Sequence, residues 1–229
     1  MTLAFDPRIG QSSAMHPNPA FRKTETQINL SFARVRSFGT LAVNHDDGPL
    51  LSHIPFVLSP GGDVIELHLV RSNPIARLAE APLTAVIAVQ GPHSYISPDW
   101  YGVPDQVPTW NYVAVHLRGT LERLEDAALP GMLDRLSAQF ESRLPKPPWT
   151  ADKMTPAVLN RMLRSIVPCR LSIADVQGTW KAGQNKDEAA RLAAADAIER
   201  DGIGENLAAL ARLMRTCNPD PVDSGYQAT

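Results

Sequence analysis

Two β-rich runs joined by a short turn constrain the fold of this chain more than any other feature. The runs Leu50–Leu58 and Val64–Val70 are separated only by Ser59-Pro60-Gly61-Gly62-Asp63, a cluster of turn-forming residues. A connection this short joins antiparallel neighbours, because parallel strands need a crossover of about a dozen residues or more. Pro55 has no N–H to donate, so we expect it at a sheet edge or a bulge.

The rest of the chain adds further strands and flanking helices. Strands are predicted over Thr40–Asn44, Thr84–Gln90, Tyr112–Leu124 and Cys169–Val176, with an irregular loop over Pro92–Pro108. Helices are predicted from Thr24 to Gly39, from Asn73 to Glu80, over Ala127–Arg143, over 152–166, and near 186–200 and 204–215. Thr24 with Gln27 resembles a capping box, Gly39 is placed to end the first helix, and Asn73-Pro74 is a good helix start. Since strands outnumber βαβ-type alternations, the predicted fold class is mainly β with flanking helices, arranged as an antiparallel barrel.

Composition divides the chain into four segments and excludes several classes of protein. We expect an N-terminal extension over residues 1–20, the barrel domain over 21–177, a helical segment packed on it over 178–217, and a disordered tail over 218–229. The formal net charge is −2, with no basic stripe for non-specific nucleic-acid binding. Two distant cysteines predict no disulfide framework, and no apolar run is long enough to cross a membrane. A cytoplasmic protein is therefore expected.

An aromatic stretch within residues 91–116 is the first candidate for function. Loops normally carry small polar residues, whereas Gly91–Tyr101 carries three aromatic rings and a histidine. In the extended segment that follows, alternation puts Trp110 and Tyr112 on one face and Thr109 and Asn111 on the other. The rings either plug the barrel or a dimer interface, or they contact a ligand, and composition leaves both uses open.

The predicted helix start at Asn73 is a candidate anion site. Unpaired N–H groups and the helix dipole attract negative charge there, and Arg71 and Arg77 would add charged donors beside His68 and Ser72. A solvated helix end whose arginines pair with nearby carboxylates is the commoner use of such a pattern. Both interpretations stay open at this point.

The segment Ser52-His53-Ile54-Pro55-Phe56 is the third candidate. Alternation sends Ser52 and Ile54 to one side of the strand and His53 to the other. A lone histidine on a strand is usually a core or surface residue. The four histidines His53, His68, His93 and His116 lie on separate predicted elements without HxH or HExxH spacing, so no metal site is predicted. The chain also lacks GxxxxGK[ST], GxGxxG and GxSxG motifs.

These candidate segments resemble the PaiB family. The resemblance is carried by Phe38-Gly39-Thr40-Leu41, Ser52–Phe56, His68–Pro74, Gly91–Tyr101 and Val107–His116, and by Trp180-Lys181-Ala182-Gly183-Gln184-Asn185, where Ala182-Gly183 replaces the family's usual Leu-Ser. It runs from about Met15 to about Asp201. The family is described as FMN-binding negative transcriptional regulators with a split β-barrel, related to pyridoxamine-phosphate oxidases and flavin reductases.

The resemblance implies a homodimer with FMN bound in clefts at the subunit interface. The resemblance implies that the phosphate of FMN lies near His68, Arg71, Ser72 and Asn73. It implies that the isoalloxazine ring lies against the first two strands, at Thr40, Leu41, Ser52, His53, Ile54 and Pro55. Trp110 and Asn111 would reach the ring from the partner, with Thr109 beside them as a further cofactor-binding residue, and Lys181 and Gln184 would close the site.

The resemblance leaves three functions open. A regulator would bind DNA, for which the Ala- and Arg-rich C-terminal helices are the candidate surface, although packing is the commoner role of such helices. An NAD(P)H-dependent flavin oxidoreductase would let bound FMN accept hydride or electrons without an acid–base side chain. A haem-binding split barrel would use the available histidines.

Overall fold

The computed structural model describes residues 15–220, so residues 1–14 of the predicted extension and 221–229 of the predicted tail lie outside the described residues. The strands are β1 (Phe38–Val43), β2 (Leu50–Leu58), β3 (Val64–Val70), β4 (Leu83–Ile96), β5 (Thr109–Arg123), β6 (Ile166–Lys181) and β7 (Gly204–Glu205). The helices are α1 (Thr26–Arg36), α2 (Pro74–Leu78), α3 (Leu129–Glu141), α4 (Pro156–Leu163), α5 (Glu188–Asp201) and α6 (Leu207–Thr216). Short 3₁₀ helices lie at Pro19–Phe21, Pro98–Tyr101, Asp126–Ala128 and Ala151–Lys153.

Six strands close into an antiparallel barrel. They follow the order β1-β2-β3-β6-β5-β4, and β1 pairs with β4 to complete the ring, while the short β7 adds to the far end of β4. The turn at 59–63 joins β2 and β3 as antiparallel neighbours. The predicted fold class, a mainly β barrel with flanking and C-terminal helices, is confirmed.

Alternating side chains fill the barrel. Leu41, Ile54, Phe56, Leu67 and Val115 are at most 2% exposed, as expected for strands that bury one face. Four helices contribute to the same core: α1 through Phe32, α2 through Ile75, α5 through Ile198 and α6 through Leu210. The apolar period-2 pattern therefore stabilises the barrel, and the outward residues of the same strands are left for function.

The barrel wall has a gap between β2 and β3, which we call the split. The ladder between these strands covers only Phe56–Leu58 of β2, although β3 is paired along its whole length with β6. Residues 50–55 of β2 therefore pair with β1 on one edge only. Pro55 lies where the β1 ladder ends and the β3 ladder begins, a position that suits a residue without an N–H.

The main error in the strand predictions concerns the aromatic stretch. Residues 91–96 were assigned to a loop, but β4 continues to Ile96 and β5 already begins at Thr109. A bulge between Gln90 and His93 takes up Gly91 and Pro92, so the proline needs no ladder hydrogen bond and the strand goes on. Similarly, β6 starts earlier and ends later than the predicted Cys169–Val176.

The predicted boundaries of the first helix were also wrong. The N-cap is Glu25 without a side-chain hydrogen bond, so Thr24 and Gln27 form no capping box. The helix ends at Ser37, which has φ 51° and donates its N–H to the Ala33 carbonyl. Gly39 is instead a strand residue whose added Cβ would lie 2.8 Å from the Ala88 carbonyl oxygen. A close strand contact, rather than a helix end, explains that glycine.

Candidate functional site

Beside the split, the outward side chains of β1 and β2 form an exposed patch that we call the β1–β2 face. The register pairs Thr40 with His53, and Thr40 Oγ1 lies 3.1 Å from His53 Nδ1. Phe38 and Leu51 flank this polar pair and are 56% and 61% exposed. Large apolar side chains this exposed next to hydrogen-bonding groups are typical of a surface that contacts a ligand or another chain.

Two of the predicted ring contacts point into the core instead. Leu41 is fully buried and Ile54 is 2% exposed. Their side chains pack inside the barrel, so these two residues offer an outside ligand only main-chain atoms. Along β2, the side chains of Ser52 and Ile54 point inward and that of His53 points outward, which confirms the predicted alternation.

A hydrogen bond crosses the split near its end. Asn73 Nδ2 donates to Ser52 Oγ at 3.2 Å, and Asn73 Oδ1 accepts from the Ile75 N–H at 2.9 Å as the N-cap of α2. The cap predicted from sequence is confirmed. The structure thus brings the segment Ser52–Pro55 and the β3–α2 junction together, although Ser52 and Asn73 are 21 positions apart in the sequence.

The Arg71 guanidinium is bonded within the protein. Its Nη2 lies 2.9 Å from Asp126 Oδ2, and it also donates to the carbonyls of Arg164 and Ile166. Arg123 contacts the same carboxylate, and the hydrogen bond from Arg71 is the main reason why the pKa of Asp126 lies below its usual value. Of the two uses that the sequence left open, the structure therefore shows Arg71 paired with a carboxylate of the protein.

Ser72 and Arg77 remain exposed at the same junction. The described contact of Arg77 is a 3.3 Å bond from Nη2 to the Ser72 carbonyl. The helix α2 that follows has five residues, too few for its dipole to attract an anion strongly. Attraction of an anion to this junction would depend on Arg77 and on hydrogen bonds from Ser72.

His68 lies on β3 at the edge of the split. Its Nδ1 is buried and has no hydrogen-bond partner among residues 15–220, which is costly unless a bound group or water supplies one. Burial lowers the pKa of His68, so the neutral imidazole is favoured.

His116 is the second histidine whose pKa is lowered, mainly by burial and further by the charge of Arg118. It lies opposite Ala88 of β4, which in turn lies opposite Thr40 of β1. Among residues 15–220, no group of histidine, cysteine or carboxylate side chains is arranged to hold a metal ion.

The remaining predicted residues form a second cluster at the far end of β4, β5 and β6. Trp110 is 45% exposed, and its ring centroid lies 5.9 Å from that of His93 and 6.3 Å from that of Tyr95. Asn111 is 1% exposed and donates to Met214 Sδ, so it packs beneath α6. The rings of His93, Tyr95 and Trp110 therefore group on the outside of the sheet, whereas Tyr101 of the same stretch is 2% exposed and belongs to the core.

Lys181 and Gln184 have different surroundings within this second cluster. The Gln184 amide accepts from the Ala182 N–H and donates to the carbonyls of Trp180 and Ala20, so it holds a turn. Lys181 Nζ donates to Thr109 Oγ1 and lines a cavity of about 230 Å³. The same cavity is lined by Tyr101, the last residue of the aromatic stretch, and by His16 and Lys186, which were not among the predicted site residues. The only signal for Lys186 was its position directly after the motif at 180–185.

Arginines of the C-terminal helices are largely engaged in packing these helices together. Arg191 donates to the carbonyls of Met214 and Arg215 at the end of α6. Arg215 pairs with Asp196 and Glu199 of α5. These guanidinium groups stabilise the helix pair, as expected for packing helices. In the part of the chain that the structure describes, no helix has the length and apolarity to cross a membrane.

Comparison with known proteins gives consistent matches. Residues 15–175 match the family model described as "Putative FMN-binding domain". The chain is 31% identical over 197 residues to the Bacillus subtilis "Protease synthase and sporulation protein PAI 2", covering 85% of this chain and 93% of that protein.

Two solved structures share the fold. The FAD and heme binding protein from Mycobacterium smegmatis superposes with a TM-score of 0.53 at 19% identity, covering 80% of this chain and 82% of that chain. The flavocytochrome Anf3 from Azotobacter vinelandii gives 0.50 at 14% identity, covering 71% of this chain and 70% of that chain. At these identities the likeness establishes the barrel fold alone.

Proposed function

This chain belongs to the PaiB family of FMN-binding domains, and from that membership we propose that it binds flavin mononucleotide at the split, where two copies of the chain meet. The observation that carries the proposal is the split itself. In the described part of the chain, the edge of β2 over residues 50–55 has no strand partner on the side of β3, and the buried Nδ1 of His68 has no hydrogen-bond partner. Unpaired polar groups of this kind fit the hydrogen-bonding edge of a flavin ring.

The residues around the split have distinct roles in this proposal. The outward pair Thr40 and His53 offers hydrogen bonds, and the main chain of Ser52, Ile54 and Pro55 offers the open strand edge. His68 in its neutral form provides one donor and one acceptor. Bound FMN would supply redox chemistry, while these side chains orient the ring and exclude water from one of its faces.

The junction of β3 and α2 is proposed as the phosphate end. Ser72 and Arg77 are exposed there, directly after the strand that carries His68. In this assignment Asn73 and Arg71 act on the shape of the junction, because both side chains are hydrogen-bonded within the protein. The proposal therefore keeps the phosphate at the predicted junction but assigns its contacts to Ser72 and Arg77 instead of Arg71 and Asn73.

The second copy of the chain is proposed to cover the β1–β2 face. Phe38 and Leu51 present large exposed apolar surfaces on adjacent strands, and in a twofold dimer each such contact is made twice. The second cluster around Thr109 and Trp110 lies at the far ends of β4 and β5, away from the split of the same chain. A partner chain would bring those residues to the flavin from outside.

A matched pair of variants tests the proposal. In the proposed dimer Leu51 of each chain is buried, and burial of a leucine contributes about 1.5–3 kcal/mol. Leu51→Glu replaces both leucines by charges and should therefore weaken the dimer about a hundredfold or more. FMN affinity should fall with it. Met162→Glu, an equally drastic change at a 54% exposed position on α4, should leave both unchanged. Oligomeric mass by light scattering and FMN affinity by quenching of flavin fluorescence are the readouts. A Leu51→Glu protein with unaltered mass and affinity would remove the β1–β2 face from the site.

A further inference from the structure

A cavity at the start of β5 and the end of β6 is lined by two lysines and, among the residues that the structure describes, by no carboxylate. It has a volume of about 230 Å³, and its lining includes Lys181, Lys186, Thr109 and His16. Lys181 Nζ donates to Thr109 Oγ1, and Lys186 Nζ lies 2.6 Å from Gln106 Oε1. Within residues 15–220, the ion pairs formed by lysine involve neither of these ammonium groups. Both cations therefore rely on neutral partners.

The two lysines affect each other electrostatically. Burial, followed by the positive charge of Lys186, lowers the pKa of Lys181. Aromatic rings face both groups, with Lys181 Nζ 5.9 Å from the Phe21 ring centroid and Lys186 Nζ 5.1 Å from that of Tyr101. Cation–π contacts offset part of the repulsion but add no negative charge. A bound anion would remove the repulsion that remains.

His16 adds a neutral donor to the same wall. Its Nδ1 accepts the Asn18 N–H at 3.0 Å, so the neutral imidazole carries its proton on Nε2. The ring is held edge-on against Phe21, with centroids 4.8 Å apart. The cavity thus combines two ammonium groups, a hydroxyl and an imidazole N–H, all able to donate to oxygen.

We propose that this cavity binds the phosphate group of a small molecule, with Lys181 and Lys186 as its charged ligands. A phosphate monoester carries close to two negative charges at neutral pH and three acceptor oxygens, which matches two cations with additional donors. The cavity is smaller than the roughly 300–1,000 Å³ of sites that enclose a whole drug-sized ligand, so it suits a head group. This inference goes beyond the proposed function, which uses Thr109 as a contact to the flavin from a partner chain but places the phosphate of FMN at the junction of β3 and α2 and assigns no anion to the two lysines.

Titration of the full chain with inorganic phosphate, without flavin, tests the inference. Lys186→Gln and Lys181→Gln should each weaken phosphate binding about tenfold or more, because each removes a charge-assisted hydrogen bond. Lys186→Arg, which keeps the charge, should restore binding. Lys153→Gln is the matched control, since Lys153 is exposed and donates to the Pro148 carbonyl elsewhere on the surface. Wild-type protein without measurable phosphate binding, or glutamine variants that bind as wild type does, would overturn the inference.

A second titration identifies the source of the phosphate. If the cavity holds the phosphate of an FMN that is bound at the split of a neighbouring chain, Lys186→Gln will reduce the affinity for FMN and leave the affinity for riboflavin unchanged. If it holds the phosphate of a separate molecule, Lys186→Gln will weaken the binding of inorganic phosphate and leave the affinities for FMN and riboflavin as in the wild type. Because the first titration contains no flavin, failure of FMN binding at the split leaves its result interpretable.

Discussion

The role of Arg71 provides the most quantitative prediction from the structure. Arg71→Met keeps the apolar stem of the side chain and removes its bonds to Arg164, Ile166 and Asp126. The two bonds to carbonyls, at 2.9 and 3.1 Å, contribute about 1 kcal/mol each. The ion pair joins side chains that are 39% and 55% exposed, so it adds at most about 1 kcal/mol. The free energy of unfolding should therefore fall by about 2–3 kcal/mol, and the melting temperature by about 4–12 °C.

Urea denaturation measures this loss, and Arg77→Met is the control. Arg77 is exposed and makes a single 3.3 Å bond to the Ser72 carbonyl, so its replacement should change stability by less than about 0.5 kcal/mol. If Arg71 instead bound a phosphate, Arg71→Met would leave the urea midpoint unchanged and would remove a preference for FMN over riboflavin. That combination of results would refute the structural role.

Three further predictions follow from other parts of the molecule. Gly119→Ala should lower the free energy of unfolding by about 1–3 kcal/mol, because its Cβ would overlap the Ser172 carbonyl oxygen, whereas Gly131→Ala on α3 should raise it by about 0.5–1 kcal/mol. Gly119 lies where the register between β5 and β6 shifts, and equal urea midpoints for the two variants would contradict the close packing at this shift. Because the pKa of Asp126 is lowered in the folded protein, its contribution to the free energy of unfolding is complete above the unfolded pKa of about 3.9 and is lost as the pH falls through the folded pKa. Asp126→Asn should therefore flatten the acid limb of the stability–pH curve relative to wild type. Burial raises the pKa of Cys169 to about 11, so a thiol reagent should label native Cys217→Ser protein only as fast as the protein unfolds.

The strands around the split were predictable because each local signal agrees with the fold. β2 and β3 have the bounds that their composition and the turn at 59–63 predict. The side-chain alternation at Ser52, His53 and Ile54 follows from the period of a strand. The Asn73 cap is equally local, since donor and acceptor lie two residues apart.

The errors arise where distant residues decide the structure. Gly91 and Pro92 punctuate the sequence like a strand end, yet the pairing of His93 and Ser94 with β5 and β7 continues β4 beyond them. The partner of Arg71 is 55 residues away in Asp126, so its ion pair cannot be inferred from neighbouring sequence. The meeting of His16, Tyr101 and Lys186 at one cavity depends in the same way on three separate segments.

Titration of the purified chain with FMN, followed by absorbance and flavin fluorescence, tests the central claim most directly. We predict saturable binding at one FMN per chain, with a perturbed flavin spectrum and quenched emission because the ring leaves water. His68→Leu removes the buried Nδ1 at the split that lacks a hydrogen-bond partner among the described residues. This variant should bind FMN more weakly and keep the oligomeric mass of the wild type. A flavin spectrum that remains identical to that of free FMN at all protein concentrations would contradict the account.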